Sequence, residues 1–444
     1  MNENANDTRP GFSTGAGCPA GATEADGAVA SGVVRRAFLR RSLLRGAVAS
    51  GAAVAAGAAL AGGSAAVAGD APTAAAGPEE AYAFEGANQA GVYRPAAPQA
   101  ASCFAVFSLT ARDAGELKQL LRTLTARIRF LATGGVPVPA GSGRPPSDSE
   151  VLGPVVPPDG LTVTVGLAAG AFDGRFGLAG KKPEGLTEMR VFPADVPDPK
   201  WMGGELLLQV CANSQDTVHH ALRDLTRHTR AWIQPQWQLN GFVSPPRPTG
   251  TPRNLFGYKD GTANPAEQDG LVWIGPGSGQ PDWAVGGSFV VVRIIKMLVE
   301  FWDRVSLAEQ DTMIGRRRDS GAPLNGTVEA DVPSYSDDAM GAVTPLTAHI
   351  RLANPRTEET DGSRFLRRGY NYVLGADANG NQDVGLIFAC YQANIQKQFE
   401  TVQERLAEEP MTDYIQAVGG QYFIALPGVA GAEGYLGKSL IEGT

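Results

Sequence analysis

The chain has 444 residues, 43% of them hydrophobic and 19% charged, with a net charge of −8. That length is enough for two domains and an ordinary globular core. Residues 1–68 carry six arginines against four acids, a net +2, which leaves −10 on the remainder. A body that acidic lacks the clustered positive charge that grips phosphate backbones, so a nucleic-acid partner is excluded.

The first predicted element, over residues 1–68, is a targeting segment. Arg35-Arg36-Ala37-Phe38-Leu39-Arg40 opens a basic region, and the small-residue apolar run Gly46 to Gly69 follows. Ala66-Val67-Ala68 is a small-x-small cleavage site. The run is too weakly hydrophobic for a permanent membrane span. Paired arginines followed by Phe-Leu resemble a twin-arginine signal, which exports folded proteins to the periplasm, cell envelope or medium. The competing reading is a basic stretch ahead of a linker.

Residues 69–101, rich in Ala, Pro and Gly, predict a flexible lead-in. A strand, Cys103 to Leu109, then begins the folded body. Asp113 and Glu116 have the spacing of a helix N-cap, and Leu117, Leu120, Leu121, Leu124, Ile128 and Leu131 recur at helical period behind them. After a Gly/Pro-rich loop (132–160) comes a strand at Leu161–Leu167. Glu205–Asn213 is a strand feeding a helix from about Ser214 to Trp232, and Trp232 to Phe242 is a closing strand.

The second half repeats the pattern. Gly385–Asn394 leads into a helix through about Leu406, and Tyr422–Leu426 closes it; Cys211 and Cys390 occupy matching places. Two ordinary strand–helix junctions would read the same, but a duplicated α+β domain with two antiparallel sheets and outer helices is the expected architecture. The halves divide as 102–265 and 266–444. Cys103, Cys211 and Cys390 sit in apolar runs and are expected to be buried free thiols, while Cys18 lies in the targeting segment. No Cys-x-x-Cys pair occurs, so zinc ribbons, iron–sulfur clusters and covalent haem are unsupported.

Three separated motifs carry the chemistry. Residues 257–265 read Gly-Tyr-Lys-Asp-Gly-Thr-Ala-Asn-Pro, placing Asp260 in a tight turn whose glycines let backbone approach a flat ligand. On its own that stretch reads as a solvated turn. His349-Ile-Arg-Leu-Ala-Asn-Pro-Arg356 follows, and Leu366-Arg367-Arg368-Gly369-Tyr370 places an arginine 18 positions after His349. In order and spacing these motifs resemble the dye-decolourising peroxidases, and their wording resembles the exported, deferrochelatase-like branch. The resemblance runs from about Ser102 to the C-terminus.

The resemblance implies two ferredoxin-like halves with one non-covalent haem b, held mainly by the C-terminal half. His349, at the head of a short apolar strand, takes the place of the iron ligand. His219, His220 and His228 lie in the 214–232 helix without acids at metal-ligand spacing and read as surface or groove histidines. Asp413 falls where the family places a carboxylate behind the ligand; alternatively it caps a turn. Asp260 and Arg367 are the implied acid–base group and charge stabiliser. The family match selects Arg367 over Arg368, which from the residues alone is an even choice. Gly261, Thr262 and Ala263 are implied to flank the porphyrin edge, and Asn354, Pro355 and Arg356 to line the haem, with Arg356 facing a propionate. Leu386 and Phe388 alternate on one strand and would form an apolar wall, or ordinary core. Tyr258 stands where the family usually has phenylalanine.

The implied function is a peroxidase that uses hydrogen peroxide to oxidise one-electron donors, bulky dyes included. Bulky donors require a route through surface aromatics, and among six tryptophans the sequence singles out none. The rivals are a deferrochelatase, which frees iron from haem with the porphyrin intact and acts with an iron-permease system, and a non-catalytic haem carrier. Oligomeric state is left open by the sequence.

Overall fold

A computed structural model of the chain describes residues 80–443. The arginine pair, the cleavage site and the start of the lead-in lie outside the described residues.

The first half comprises β1 (Ala101–Leu109), α1 (Ala114–Thr133), β2 (Thr162–Leu167), β3 (Leu206–Ala212), α2 (Gln215–Thr229) and β4 (Ile233–Phe242). The second half begins with β5 (Ser288–Met297), α3 (Val299–Trp302), α4 (Leu307–Ile314), α5 (His349–Ala353) and α6 (Glu358–Asp361). It continues with β6 (Leu366–Arg367), β7 (Tyr370–Ala376), β8 (Gln382–Gln392), α7 (Thr401–Arg405), β9 (Ile415–Ala425) and α8 (Lys438–Glu442). A π-helical turn, Gln396–Glu400, runs directly into α7.

Each half is a four-stranded antiparallel sheet in the order fourth, first, third, second strand: β4-β1-β3-β2 and β9-β5-β8-β7. That order is ferredoxin-like, and the duplication expected from the matching cysteines is present, with Cys211 on the third strand of one half and Cys390 on that of the other. All three described cysteines are buried and free. β6 continues the line of β7 along β8, since Leu366 faces Tyr391 and Tyr370 faces Ile387 in one register. The sheets join at both edges, through Gly166↔Ala425 and Leu167↔Ile424 on one side and Phe242↔Asn371 on the other. No sheet edge is left open there to pair with another chain.

Strand alternation then sorts the side chains. Phe104, Val106, Leu207, Val290, Val292, Ile387 and Phe423 pack inside the closed ring. On the outer face of the first sheet, Ala105, Phe107, Leu208 and Val210 meet the leucine stripe of α1 and Val218, Ala221 and Leu225 of α2. α1 starts where the sequence places it, because Asp113 accepts from the Glu116 N–H at 2.9 Å. Burying each such leucine contributes about 1.5–3 kcal/mol.

The second half fills its outer face differently. α1 has 20 residues, but the connection from β5 to β6 carries only α3 to α6, the longest of them eight residues. The sheet face beneath is left to line a cavity: Arg293, Ile295 and Met297 from β5, Leu386 and Phe388 from β8, Ile415 and Ala417 from β9.

Four expectations need correction. Residues 80–101, expected as a flexible lead-in, pack against the body where they are described: Gln89 exchanges hydrogen bonds with Val165 and donates to the Leu426 carbonyl, and Val92 is fully buried. Composition hid this, since a few amides, among them Gln89, Asn88 and Gln99, anchor the segment. His349 opens a helix rather than a strand, with the Ala348 carbonyl accepting from Arg351 and Leu352; five residues are too few for periodicity to decide. His220 is not a surface histidine but is buried, with Nε2 2.8 Å from Asp148. The loop carrying Asp260, assigned to the first half by the 265/266 division, hydrogen bonds to the second. Among the described residues no helix is long and apolar enough to cross a membrane.

Candidate functional site

The cavity, of about 270 Å³, brings together residues that are far apart in sequence. Asp260, Gly261, Thr262, Ala263, His349, Asn354, Arg356, Arg367, Leu386 and Phe388 all line it; Pro355 and Asp413 do not. Its apolar wall adds Phe256, Ile314, Ile350, Phe399, Val402 and Leu406, so a flat hydrophobic ligand would be desolvated on entry. Nearly the whole lining comes from the second half, with Ala194 and Asp195 added by the first.

His349 heads α5, and its Nδ1 lies 2.6 Å from Oε2 of Glu409, a side chain only 3% exposed. In a neutral imidazole, a carboxylate acceptor at Nδ1 selects the tautomer with the proton there and the lone pair on Nε2. A carboxylate on the far nitrogen fixes the ring and raises its basicity as a metal ligand. The expected partner was Asp413, and that expectation is corrected: Asp413 is exposed at the end of a 3₁₀ turn and makes no contact with His349. Glu409 caps the start of that turn instead, ahead of Pro410. The run Glu408-Glu409-Pro410 carries no local mark that one of its acids is buried beneath a histidine 60 residues away.

Asp260 sits at the end of a loop folded back on itself, where its N–H donates to the Pro252 carbonyl at 3.0 Å. Gly261 follows at φ 93°, a conformation that a side chain would strain. Arg367 Nη2 is ion-paired with Asp260 Oδ1, and its guanidinium carbon lies 5.7 Å from the Phe388 ring centre. Arg368 is instead buried away from the cavity, donating to the Pro95 carbonyl and to Gln99, so geometry separates the two neighbours.

Two clamps hold this pair in place. The Asn264 side chain accepts from the Arg367 N–H and donates to its carbonyl, both at 2.9 Å. Glu329 pairs with Lys259 and accepts from Thr251 (2.6 Å) and Thr262 (3.0 Å). Burial works to raise the Glu329 pKa, but Lys259, Thr251 and Thr262 outweigh it and bring it down to about 2. It is therefore ionised throughout the working range.

A third feature is cationic. Arg356 adopts φ 60°, which non-glycine residues avoid, with Asn354 Oδ1 accepting from its N–H at 3.2 Å. Its Nε is buried without a partner. Arg316 lies close enough that burial first, and the Arg356 charge second, lower its pKa. Arg316 donates to the Gly321 and Glu329 carbonyls. Two guanidiniums in mutual repulsion, one with an orphaned donor, call for an anion between or beside them.

The donor set fits haem. One imidazole is available through Nε2, apolar walls suit a macrocycle, and two lining arginines, Arg356 and Arg367, each with a buried unpartnered Nε, suit a group carrying carboxylates and oxygen. Among the described residues no cluster of three or more His, Cys, Asp or Glu could cage a bare metal ion. Sequence reasoning missed Glu409, Glu329, Asn264 and Arg316, all of which act through neighbours rather than through a motif.

Comparison with known proteins places the chain among relatives of one family. The Dyp-type peroxidase N-terminal profile matches residues 89–243 and the C-terminal profile matches residues 251–430. A protein named deferrochelatase from Yersinia pestis is 48% identical over 368 residues, covering 81% of this chain and 84% of its own. Another from Shigella flexneri is 46% identical over 373 residues, covering 82% and 88%. Among solved structures, a DyP-type peroxidase from Cellulomonas bogoriensis superimposes with a TM-score of 0.74 at 35% identity, covering 82% of this chain and 99% of that one. Ferric DtpA from Streptomyces lividans gives 0.73 at 34%, covering 82% and 98%.

Proposed function

Since the chain belongs to the Dyp-type peroxidase family, and is thereby a haem-dependent enzyme of the peroxidase type, we propose that it reduces hydrogen peroxide at a haem b in this cavity and oxidises one-electron donors. The observation that carries this reading is the Asp260–Arg367 pair on the cavity wall. A protein that only stored or carried haem would have no need of it.

Haem supplies the iron at which peroxide is reduced and the oxidising equivalents for the donor. The chain does the rest. His349 Nε2 would hold the haem iron, with Glu409 hydrogen-bonded to the ring through Nδ1. Arg316 and Arg356, both on the cavity lining, would pair with the carboxylates of the haem. The Asp260 carboxylate accepts a proton from the nearer peroxide oxygen and returns it to the departing one, which leaves as water. Arg367 stays charged and steadies the negative charge that develops as the O–O bond lengthens.

A second reading has its own support: relatives at 46–48% identity are named deferrochelatase. One experiment separates the two. Haem-loaded protein is given peroxide and a phenolic donor, while porphyrin fluorescence is followed in parallel. Donor oxidation with a dark porphyrin channel supports the peroxidase; fluorescent metal-free protoporphyrin without donor oxidation supports iron release, for which an iron-permease partner would be expected.

We also propose export by the twin-arginine route, on the strength of Arg35-Arg36-Ala37-Phe38-Leu39. Replacing Arg35 and Arg36 with lysine should keep the protein in the cytoplasm at full length, read by fractionation and blotting. Unchanged export would overturn the proposal.

A further inference from the structure

Glu329, in the connection between α4 and α5, touches two parts of the site at once. Its side chain closes the base of the loop that carries Asp260. Oε1 accepts from the Thr251 N–H (3.1 Å), the Thr251 hydroxyl (2.6 Å) and the Thr262 hydroxyl (3.0 Å), and Oε2 pairs with Lys259. Thr251 and Thr262 lie on the two limbs of that loop with their hydroxyl oxygens 3.2 Å apart, so one carboxylate ties the limbs together. The Glu329 carbonyl in turn accepts from Arg316 Nη1 at 2.9 Å. Arg316 lines the cavity, and both of its side-chain hydrogen bonds among the described residues leave from Nη1, so Nη2 and Nε remain for a ligand.

Close packing fixes this arrangement. The Lys259 side chain is 3% exposed and that of Glu329 15%. Gly250 (φ 82°) and Gly321 (φ 77°) flank the pair, and a methyl group at either would collide, with the Glu329 carboxylate in one case and the Lys259 stem in the other. Lys259 Nζ has one further partner, the Thr249 carbonyl. Without the Glu329 charge a buried ammonium would stand uncompensated one residue from Asp260, so the loop could not keep its shape unchanged. Arg316 has the opposite need: the Arg356 charge is near it, and a carboxylate between them would relieve the repulsion. The backbone from Arg316 to Glu329 has no helix or strand, so its course rests on the contacts at its two ends.

We infer that Glu329 is a positioning residue that couples the two ends of the site: a haem carboxylate seated on Arg316 fixes the segment 316–329, and Glu329 then sets the Asp260 loop. This rests on the peroxidase reading above. Its consequence is that the proton-transfer carboxylate is held in working position only under a fully seated haem. Coupling between two sites is reciprocal. If the seated carboxylate orders the Asp260 loop, then loosening the loop must weaken the grip on a ligand that carries carboxylates. It must not weaken the grip on one that lacks them, which would be held by His349 and the apolar walls alone.

The test compares haem with its dimethyl ester, which has the same iron and ring but no charged carboxylates, in the wild type and in Glu329→Gln. Hydrogen–deuterium exchange read by mass spectrometry reports the loop without any turnover. Amides of residues 251–262 in the wild type should exchange about ten-fold faster with saturating ester than with haem. In Glu329→Gln the two ligands should protect them alike. The wild type should also bind haem about ten-fold or more tightly than the ester, and Glu329→Gln should shrink that ratio. With haem bound, Glu329→Gln should slow the peroxide-driven change of the haem spectrum by roughly ten- to hundred-fold. With the ester, wild type and variant should react at similar low rates, because the coupling is already broken. Equal protection of 251–262 by haem and ester in the wild type overturns the inference, and this arm needs no variant, so it holds whatever Glu329→Gln does to folding. Loss of rate by the same factor with either ligand would make Glu329 a local prop and overturn the coupling as well. A wild type that shows the expected exchange difference yet fails to react with peroxide would support the coupling and sink the peroxidase reading instead.

Discussion

His349→Ala should lose most of its bound haem, seen as collapse of the Soret absorbance per protein after gel filtration. The reason is local. Among the described histidines only His349 lines the cavity, and its Nδ1 is already committed to Glu409. The remaining contacts to a macrocycle are apolar or at its carboxylate edge, and these do not hold iron. Glu409→Gln is the informative companion, because it keeps the hydrogen bond geometry but removes the charge. Loss of a partner behind a metal-bound histidine typically costs about 10–100-fold in affinity or activity. His219, His220 and His228 lie on or beside α2 in the other half, so their replacement should leave haem bound. Haem retention by His349→Ala alongside loss in the triple variant would refute the assignment.

Asp260→Asn and Arg367→Leu should both keep haem yet react with peroxide far more slowly. Removing a general acid–base group lowers rates by roughly 10²–10⁴-fold, and removing a preorganised charge costs about 10²–10³-fold. Because the two side chains are ion-paired, each substitution also frees its partner to move, so the double variant should fall short of the product of the single effects. The rate to follow is the peroxide-driven change in the haem spectrum, since dye turnover also depends on the donor route. Wild-type rates in both single variants would remove the pair from the mechanism.

Much of this site is legible in the sequence. The runs at 257–265, 349–356 and 366–370 each carry side chains that end on one cavity, and Leu386 and Phe388 share a strand face because alternate residues must. The helix at α1 was readable from Asp113 and its leucines, and the duplication from two strand–helix junctions with matching cysteines. What the residues did not reveal depends on contacts across the fold. Glu409 matters only because α5 brings His349 onto it, and Asp413, four residues on, looks no different in sequence. Ring closure rests on backbone bonds at Gly166–Leu167 and Phe242, which leave no pattern in side chains. Gln89, Asn88 and Gln99 show how a few amides can anchor a segment whose composition reads as flexible. Glu329 lies between α4 and α5, in a stretch without helix or strand, where periodicity has nothing to report.

The most direct measurement of the account is a stopped-flow absorbance record of the haem-loaded wild-type protein mixed with one equivalent of hydrogen peroxide and no donor. A fast shift of the haem spectrum, reversed by later addition of hydroquinone and slowed in Asp260→Asn, is the predicted result. A spectrum that stays unchanged, or one that decays to fluorescent metal-free porphyrin, would contradict it.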